Sequence, residues 1–445
     1  MQSHLKSIGR MTLSTFVSRV GLRFLLLADA IMIGRYSADQ LAWAGAANAT
    51  GGILLVLAPG LLIGCLIHAA GARASGDTQK VGPIWRAGLL YGTVAGVICM
   101  LLCLSGQWLL DLLGQTERVS VEGGHLMLWV GLGMPFHFAG FATLYTLEAI
   151  GRANAGARVL IPAVGANVVL NALLVFDETA GLGADGALIA TVLVRAGILV
   201  ALVALLMSGT DRRAYGLDHW RLPPASEWRG LIRLGLAGGA SLLGESAAFA
   251  SLTIFAGWIS ERALAVYTIV YNVLSAIFTS ALAVGVATSV EVAAARATGD
   301  KRGTIQAAAA GMLFGLGLMG AFGFNAWLFS DQIAGLFTSD PVTATAAAAV
   351  LGWLALFLLA DGAQVCIHNA VRGMGDAWPT TLINLFCYVG LMTTLAWAFA
   401  IPGGEGVAGL LQGGLIASIV VVAFQIWRFR VLVRREACYA RSRFL

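Results

Sequence analysis

Three acidic residues lie inside long apolar stretches of this chain, where carboxylates are rarely found. Asp29 falls in the segment LADAIMIG, Glu245 in LLGESAAF and Asp361 in LLADGAQV. A carboxylate in such surroundings can bind a cation, take up a proton or hold a positively charged ligand. Burying one at the centre of a bilayer-spanning helix costs about 2.5 to 3.5 kcal/mol, so we interpret all three as functional.

Two asparagines are spaced so that they share one face of a helix. Asn167 and Asn171 are four residues apart in the segment NVVLNALLVF. Residues at this spacing point the same way, and both amides can reach a cation or a carboxylic acid such as Asp29. The alternative interpretation is hydrogen bonding between helices, worth about 0.6 kcal/mol, with no ligand involved.

A stripe of polar and aromatic side chains runs along the stretch around Asp361. Its members recur at the spacing of one helix face, and we expect that face to line a cavity. They are Phe357, Asp361, Gln364 and His368. Tyr267 and Tyr271 form a similar pair, for which the alternative is anchoring at the membrane interface.

The composition indicates that membrane helices position these residues. Of 445 residues, 58% are hydrophobic and 11% are charged, and the mean hydropathy is +0.83. A soluble globular protein carries about 25% charged residues, and apolar blocks of about 20 residues are long enough to span a bilayer. We predict an all-α polytopic membrane protein with twelve spans, at residues 12–34, 44–70, 87–107, 122–146, 157–176, 185–208, 230–258, 266–290, 305–328, 345–368, 378–400 and 405–429.

A buried ion pair is the main alternative role for the three acids. Three arginines within predicted spans are candidate partners, namely Arg19, Arg23 and Arg195. Such a pair would only lock helices together. Because ionisable groups inside a membrane are functional by default, we favour coupling or binding over locking.

Basic residues indicate how the chain is oriented. Most of the 28 Lys and Arg residues fall in segments that are cytoplasmic if the N-terminus is inside. We therefore expect a multi-pass protein of the inner or plasma membrane with both termini in the cytoplasm. The net charge of +5 follows from this topology, and we expect no nucleic-acid partner.

The chain repeats itself after 223 residues. The segment ARASGD at 72–77 returns as ARATGD at 295–300, and the same shift carries Ser37 onto Ser260. Two six-helix bundles related by a pseudo-twofold axis are implied, with a cleft between them for substrate. We predict an N-terminal bundle at 1–208, a cytoplasmic linker at 209–228, and a C-terminal bundle with a short basic tail at 229–445.

Several motifs resemble those of the MATE family, the multidrug and toxic-compound extrusion transporters. They are ADAIMIGRYSADQLAWAG in the first span, ARASGD and ARATGD after the second and eighth, and NAVRGMGDAWPT after the tenth. The resemblance implies a twelve-helix antiporter that exports organic compounds, often cationic and aromatic, in exchange for Na⁺ or H⁺. We also expect the protein to be a monomer. It implies no cofactor apart from the coupling ion.

The buried acids are similar to the NorM-like branch of that family, which carries acids in the first, seventh and tenth helices. Asp29, Glu245 and Asp361 fill these positions, and the fifth helix has asparagines as that branch does. Na⁺ is expected at Glu245 and Asp361. The predicted residues for the coupling ion and substrate are Asp29, Asn167, Asn171, Glu245, Tyr271, Phe357, Asp361 and Gln364.

Other functions fit these residues less well. A lipid-linked precursor flippase needs a cationic cavity for its pyrophosphate headgroup, whereas acids dominate the mid-span positions here. Arg19 and Arg23 share a face of the first span and leave an anionic or zwitterionic substrate open. An enzyme would need a nucleophile with its base, or a metal motif such as H-E-x-x-H, and the sequence shows neither. We therefore expect a transporter and not an enzyme.

Overall fold

A computed structural model describes the backbone of residues 2–176, 180–209, 212–219, 221–338 and 340–442. Side chains are described over the same ranges except at residues 2, 3, 14, 17–27, 38, 226, 261 and 436–442. The side chains of Arg19 and Arg23, two candidate partners for the buried acids, therefore lie outside the described residues.

Helices make up nearly all of the regular structure, and the described residues contain no β-strand. A π-helical segment, Phe386–Met392, lies between the short α-helices Trp378–Leu385 and Thr393–Ala400. The α-helices are α1 (Gln2–Tyr36), α2 (Ala38–Leu61), α3 (Ile63–Ala74), α4 (Val81–Cys103), α5 (Gly106–Leu112), α6 (Glu117–Leu132), α7 (Met134–Ala149), α8 (Asn154–Leu174), α9 (Gly183–Met207), α10 (Ala225–Ile259), α11 (Glu261–Ala297), α12 (Lys301–Leu328), α13 (Ser330–Phe337), α14 (Pro341–Gly373), α15 (Trp378–Leu385), α16 (Thr393–Ala400) and α17 (Gly406–Ser442).

Eleven helical stretches within the described part of the chain are long and apolar enough to cross a bilayer. They coincide with the second to twelfth predicted spans, and the all-α polytopic fold is confirmed. α2 with α3 and α6 with α7 each form one stretch, because only Leu62 or Gly133 separates them. The first predicted span, 12–34, lies within α1, whose 35 residues extend about 52 Å, longer than the hydrocarbon core.

The sequence repeat is visible in the way two helices begin. Ser37 Oγ accepts a hydrogen bond from the Gln40 backbone N–H at 3.3 Å, where α2 starts. Ser260 Oγ accepts one from the Ala263 N–H at 3.0 Å, where α11 starts. Each side chain satisfies an N–H group that the first helical turn leaves unpaired. The repeated serines therefore have the same structural role.

Two glycines that end helices show a second structural repeat. Gly151 follows α7 with φ of 84°, and Gly375 follows α14 with φ of 73°. A Cβ atom at either glycine would lie within 2.7 Å of an arginine Nη1 atom, from Arg73 or Arg296 respectively. These arginines belong to the repeated ARASGD and ARATGD motifs. Glycine is needed at both positions because the backbone has a positive φ and because any side chain would collide with the neighbouring arginine.

Contacts divide the chain into two units whose limits differ from the predicted domain bounds. The N-terminal unit contains residues 14–239, and the C-terminal unit contains residues 1–13 and 240–445. Each of α1 and α10 thus contributes residues to both units. The segment predicted as a linker, 209–228, groups with the N-terminal unit.

Within the N-terminal unit, the segment predicted as a linker is hydrogen-bonded to the start of α4. The buried Arg86 donates hydrogen bonds to the backbone carbonyls of Gly216 at 3.0 Å and Arg221 at 3.1 Å. Gln79 Nε2 donates to the Arg213 carbonyl at 2.7 Å. These bonds satisfy carbonyls that have no helical partner, so the segment is held by specific contacts.

Within the C-terminal unit, α14 packs against α11, α12 and α17. Its approach to α12 depends on small residues. A Cβ atom on Gly315 would clash with Cys366 Sγ and lie 2.9 Å from the Gly362 carbonyl oxygen. Gly317, on the same helix, has no neighbouring atom within 4 Å of such a Cβ.

We expect Gly315→Val to destabilise the protein by about 1 to 3 kcal/mol, because its side chain would force α12 away from α14. Gly317→Val is the matched control and should show only the small effect of changing a glycine in a helix. Unfolding of both purified variants in detergent measures the difference. Equal stability of the two variants would show that the α12–α14 contact is not tightly packed.

Candidate functional site

Asp29 is buried in the N-terminal unit and is surrounded by hydrogen-bond donors. Its side chain is 1% exposed. Asn171 Nδ2 donates to Asp29 Oδ1 at 2.7 Å, and Asn167 Nδ2 donates to the same oxygen at 3.1 Å. Thr191 Oγ1 donates to Asp29 Oδ2 at 2.5 Å. The structure thus brings together three elements, α1, α8 and α9, around one carboxylate.

A buried arginine lies beside this carboxylate. Arg195 follows Thr191 by one turn of α9, is 8% exposed, and interacts electrostatically with Asp29. Gly133 leaves room for it, since a Cβ atom there would lie 2.7 Å from Arg195 Nη1. Asn171 Oδ1 is buried without a hydrogen-bond partner among the described residues. The site therefore contains both a positive group and an oxygen that can still accept.

Asp361 is the corresponding carboxylate of the C-terminal unit, where it is fully buried on α14. Tyr388 donates its hydroxyl to Asp361 Oδ1 at 3.2 Å and lies 3.3 Å from Ser418 Oγ on α17. Tyr388 lies within the π-helical segment, a form that is rare in proteins and is frequently found at functional sites. Asp361 Oδ2 has no hydrogen-bond partner among the described side chains and backbone groups.

Glu245 and Gln364 complete this cluster. Glu245, on α10, interacts electrostatically with Asp361 and Arg372 and is within hydrogen-bonding reach of Asn384. Gln364 Nε2 donates to Asn384 Oδ1 at 3.0 Å. Glu245 Oε1 and Gln364 Oε1 are both buried and lack a donor among the described groups. Three oxygens of one cluster, counting Asp361 Oδ2, therefore lack a donor.

An aromatic cluster adjoins the C-terminal acids. The ring centroid of Phe249 lies 6.1 Å from that of Phe357, 6.3 Å from that of Tyr388 and 6.2 Å from that of Tyr271. Tyr271 is 40% exposed, whereas Tyr267 is buried and stacks on it. The predicted residues Phe357 and Tyr271 thus meet through Phe249, which the sequence analysis did not single out.

Three further residues contact the buried acids or their partners but were not predicted as site residues, namely Thr191, Asn384 and Tyr388. Asn384 and Tyr388 are four residues apart in INLFCYVG, the same spacing that pointed to Asn167 and Asn171. This spacing could therefore have identified Asn384 and Tyr388 from the sequence. Thr191 is a single hydroxyl in an apolar helix, and nothing in its local pattern indicates which carboxylate it bonds.

Comparisons with known proteins show which family the chain belongs to. A family model described as MatE matches residues 15–173 and 239–398, well over half of the chain. The chain belongs to the MatE family. Over 428 residues it is 32% identical to the "Probable multidrug resistance protein NorM" of Caulobacter vibrioides, covering 94% of this chain and 90% of that relative.

Further MatE relatives agree with this assignment. The "Multidrug resistance protein PmpM" of Pseudomonas aeruginosa is 24% identical, with 96% of this chain and 92% of that relative covered. A structure described as an outward-facing conformation of a multidrug resistance MATE family transporter superposes with a TM-score of 0.89 at 20% identity, covering 98% of this chain and 97% of the other. The predicted MATE family and its fold are confirmed.

We expect Tyr388→Phe to lower the free energy of unfolding by about 1 to 3 kcal/mol, because Asp361 Oδ1 would lose its donor while still buried. Tyr91→Phe is the matched control, since the Tyr91 hydroxyl is buried with no hydrogen-bond partner among the described residues. Denaturant unfolding in detergent compares the two. If both variants were equally stable, the Tyr388 hydroxyl would not be holding Asp361.

Proposed function

We propose that this MatE-family protein is a secondary antiporter that exports organic, aromatic and positively charged compounds in exchange for Na⁺ or H⁺. The observation that carries the proposal is a cluster of three buried oxygens, from Glu245, Asp361 and Gln364, that have no donor among the described residues. A bound Na⁺, or a proton on a carboxyl group, would give these oxygens a positively charged or hydrogen-bonding partner. Oxygen atoms of carboxylates and carboxamides are the ligands that hard cations take in proteins.

The C-terminal site favours cation binding because its two acids repel each other. Asp361 is fully buried, and Glu245, which interacts with it electrostatically, is partly exposed but has an inaccessible Oε1 atom. Two negative charges in a low dielectric are strongly unfavourable, and one cation or proton relieves the repulsion. Tyr388 donates its hydroxyl to Asp361, so it orients the carboxylate without neutralising it.

Asp29 has the same role in the N-terminal unit, with a different balance of partners. Its donors are neutral groups, and Arg195 adds a nearby positive charge. Asp29 can accept either the coupling cation or the positive charge of a substrate, because the two compete for one carboxylate. A ligand shifts the equilibrium between inward-open and outward-open forms only by the difference in its affinity for them.

The aromatic cluster supports an aromatic substrate. Tyr271 is exposed beside Phe249, and ring faces attract organic cations by about 0.5 to 2 kcal/mol each. The relatives are named multidrug resistance proteins, which fits a surface that selects by charge and ring character. We place the protein in the inner or plasma membrane as a monomer with both termini in the cytoplasm.

Arg195 favours a second candidate, the export of a zwitterionic or anionic metabolite. Its guanidinium is buried beside Asp29, so this site offers both signs of charge. A transporter from Pyrococcus furiosus with a TM-score of 0.88 is described as having a binding pocket of reverse polarity. Competition of zwitterionic and cationic dyes for the purified protein separates the two candidates. Arg195→Gln should weaken binding of the zwitterion only.

We expect Glu245→Gln and Asp361→Asn each to abolish export that is driven by an ion gradient, because the cation site loses a charge that defines it. Asp331→Asn, an exposed acid on α13, is the control. The measurement is ethidium transport by the full-length protein in proteoliposomes, with Na⁺ and pH gradients imposed separately. Normal gradient-driven export by both variants would remove the C-terminal acids from coupling.

We expect Asp29→Asn to bind ethidium through its remaining contacts, more weakly than the wild type does, and to transport it at a rate that no longer responds to an imposed gradient. The amide reproduces the neutralised carboxylate permanently and keeps hydrogen bonds to the α8 and α9 side chains. Equilibrium binding in detergent and transport in proteoliposomes measure the two properties. A normal gradient response would assign Asp29 a structural role beside Arg195.

A further inference from the structure

A chain of buried polar side chains leads from the C-terminal acids toward the end of α14. Each of its hydrogen bonds joins two different helices, and all of them lie within the C-terminal unit. The members, in order from the acids, are Gln364, Asn384, Ser241, His368, Gln425 and Thr380. All six are at most 5% exposed. Because each amide and imidazole has one end that donates and one that accepts, the direction of the whole chain can be worked out.

The direction is fixed at the far end by a backbone carbonyl. Gln425 Nε2 lies 3.0 Å from the Thr380 carbonyl oxygen, which can only accept, so this end of the carboxamide must be the NH₂ group. Thr380 Oγ1 then donates its one proton to Gln425 Oε1 at 2.6 Å. The second hydrogen of Gln425 Nε2 is left for His368 Nδ1, 3.2 Å away.

This arrangement sets the state of the imidazole. His368 Nδ1 lies 3.2 Å from the Gln425 NH₂ group and 3.4 Å from Thr380 Oγ1, whose proton is already donated to Gln425 Oε1. The N–H donor is the nearer contact, so Nδ1 accepts from it and the neutral ring carries its proton on Nε2. That proton is directed at Ser241 Oγ, 3.4 Å away. Ser241 Oγ also accepts from Asn384 Nδ2 at 2.8 Å. Because a hydroxyl can both donate and accept, Ser241 alone does not fix the Asn384 carboxamide. The carboxylate of Glu245, its other neighbour on α10, only accepts, and it turns the Asn384 NH₂ group toward α10.

The near end of the chain is the carboxamide of Gln364. Because the Asn384 NH₂ group points at α10, its oxygen faces Gln364 and accepts from Gln364 Nε2 at 3.0 Å. Gln364 must then present its oxygen away from Asn384. That oxygen is buried and has no donor among the described groups, as is true of Glu245 Oε1 and Asp361 Oδ2.

We propose that Gln364 is a third oxygen ligand for a cation held with Glu245 and Asp361, and that His368, Ser241 and Asn384 are positioning residues that keep this oxygen turned toward the acids. The inference rests on the proposed antiport function and deepens it. A neutral oxygen added to two carboxylates suits Na⁺, which needs several ligands, whereas a proton needs only one. Three oxygen ligands therefore favour Na⁺ over a proton as the ion bound beside Gln364.

The repeat shows that this chain is not required by the fold. Gly151 and Gly375 end α7 and α14 in the same conformation, and they are 224 residues apart. The same shift places Gly140 and Leu144 at the positions of Gln364 and His368. The N-terminal unit thus forms an equivalent helix without these polar groups, so they serve something particular to the C-terminal unit.

The test is direct binding of radioactive Na⁺ to the purified full-length protein at constant pH, with choline as the balancing cation. Gln364→Met keeps the side-chain size but removes the oxygen, and we expect it to weaken Na⁺ binding by about 10- to 100-fold. Gln364→Glu restores an oxygen and should restore binding. Gln332→Met, the same substitution at an exposed position on α13, is the control.

Two further variants test the positioning chain, because they change residues that do not touch the ion. His368→Phe keeps a ring but removes both nitrogens, and we expect Na⁺ affinity to fall by about tenfold while ethidium affinity stays normal. Ser241→Ala changes little volume and breaks the link between His368 and Asn384, so it keeps the test decisive if His368→Phe misfolds. A merely structural role would lower stability without moving the Na⁺ affinity of the folded fraction.

Three results would overturn the inference. Wild-type protein that binds no Na⁺ while a pH gradient drives its export would leave the antiport function standing and remove the sodium assignment. Equal Na⁺ affinity in wild type and Gln364→Met would remove the third ligand. Normal affinity in folded Ser241→Ala and His368→Phe would remove the positioning chain. If no gradient drove export by the wild type, the proposed function itself would fail, whatever the protein binds.

Discussion

A carboxylate that is buried away from water must be matched by donors, by a cation or by a proton, and this requirement shapes both units. At Asp29 the match comes from three neutral donors and a nearby arginine. At Glu245 and Asp361 it is incomplete, since an oxygen of each lacks a donor among the described groups. The incomplete site is the one that has most to gain from binding a cation.

Helix packing explains why the acids can be held in these positions. Glycines let α12 and α14 approach closely, and the helix ends are set by repeated serine caps and glycine turns. A rigid, closely packed unit has few ways to relax around an unmatched charge. The free energy of that charge is therefore available to favour one conformation of the transporter when a cation binds or leaves.

Much of this fold could be predicted from the sequence, because apolar length alone marks a membrane helix. Eleven of the predicted spans coincide with helical stretches of suitable length in the described part of the chain. The limits of the units were harder to predict. Residues 1–13 belong with the C-terminal unit and 209–239 with the N-terminal unit, and such long-range contacts leave no local pattern.

The candidate site was predictable where polar residues share a helix face. Asp29 with Asn167 and Asn171, and Asp361 with Gln364, were found from spacing and are close in space. Phe249 and Thr191 were not found, because each is a single unremarkable residue whose importance depends on a neighbour from another helix. The direction of the Gln364 carboxamide depends on five partners and can be deduced only from their geometry.

The central claim is that substrate and coupling cation compete for the carboxylate of Asp29, and cation release tests it most directly. Ethidium would be added to the detergent-solubilised protein in weak buffer containing radioactive Na⁺, and released Na⁺ and H⁺ would be measured together. The account predicts that binding of ethidium displaces Na⁺ or H⁺ in proportion to the ethidium bound. Saturable ethidium binding with no release of either ion would contradict it.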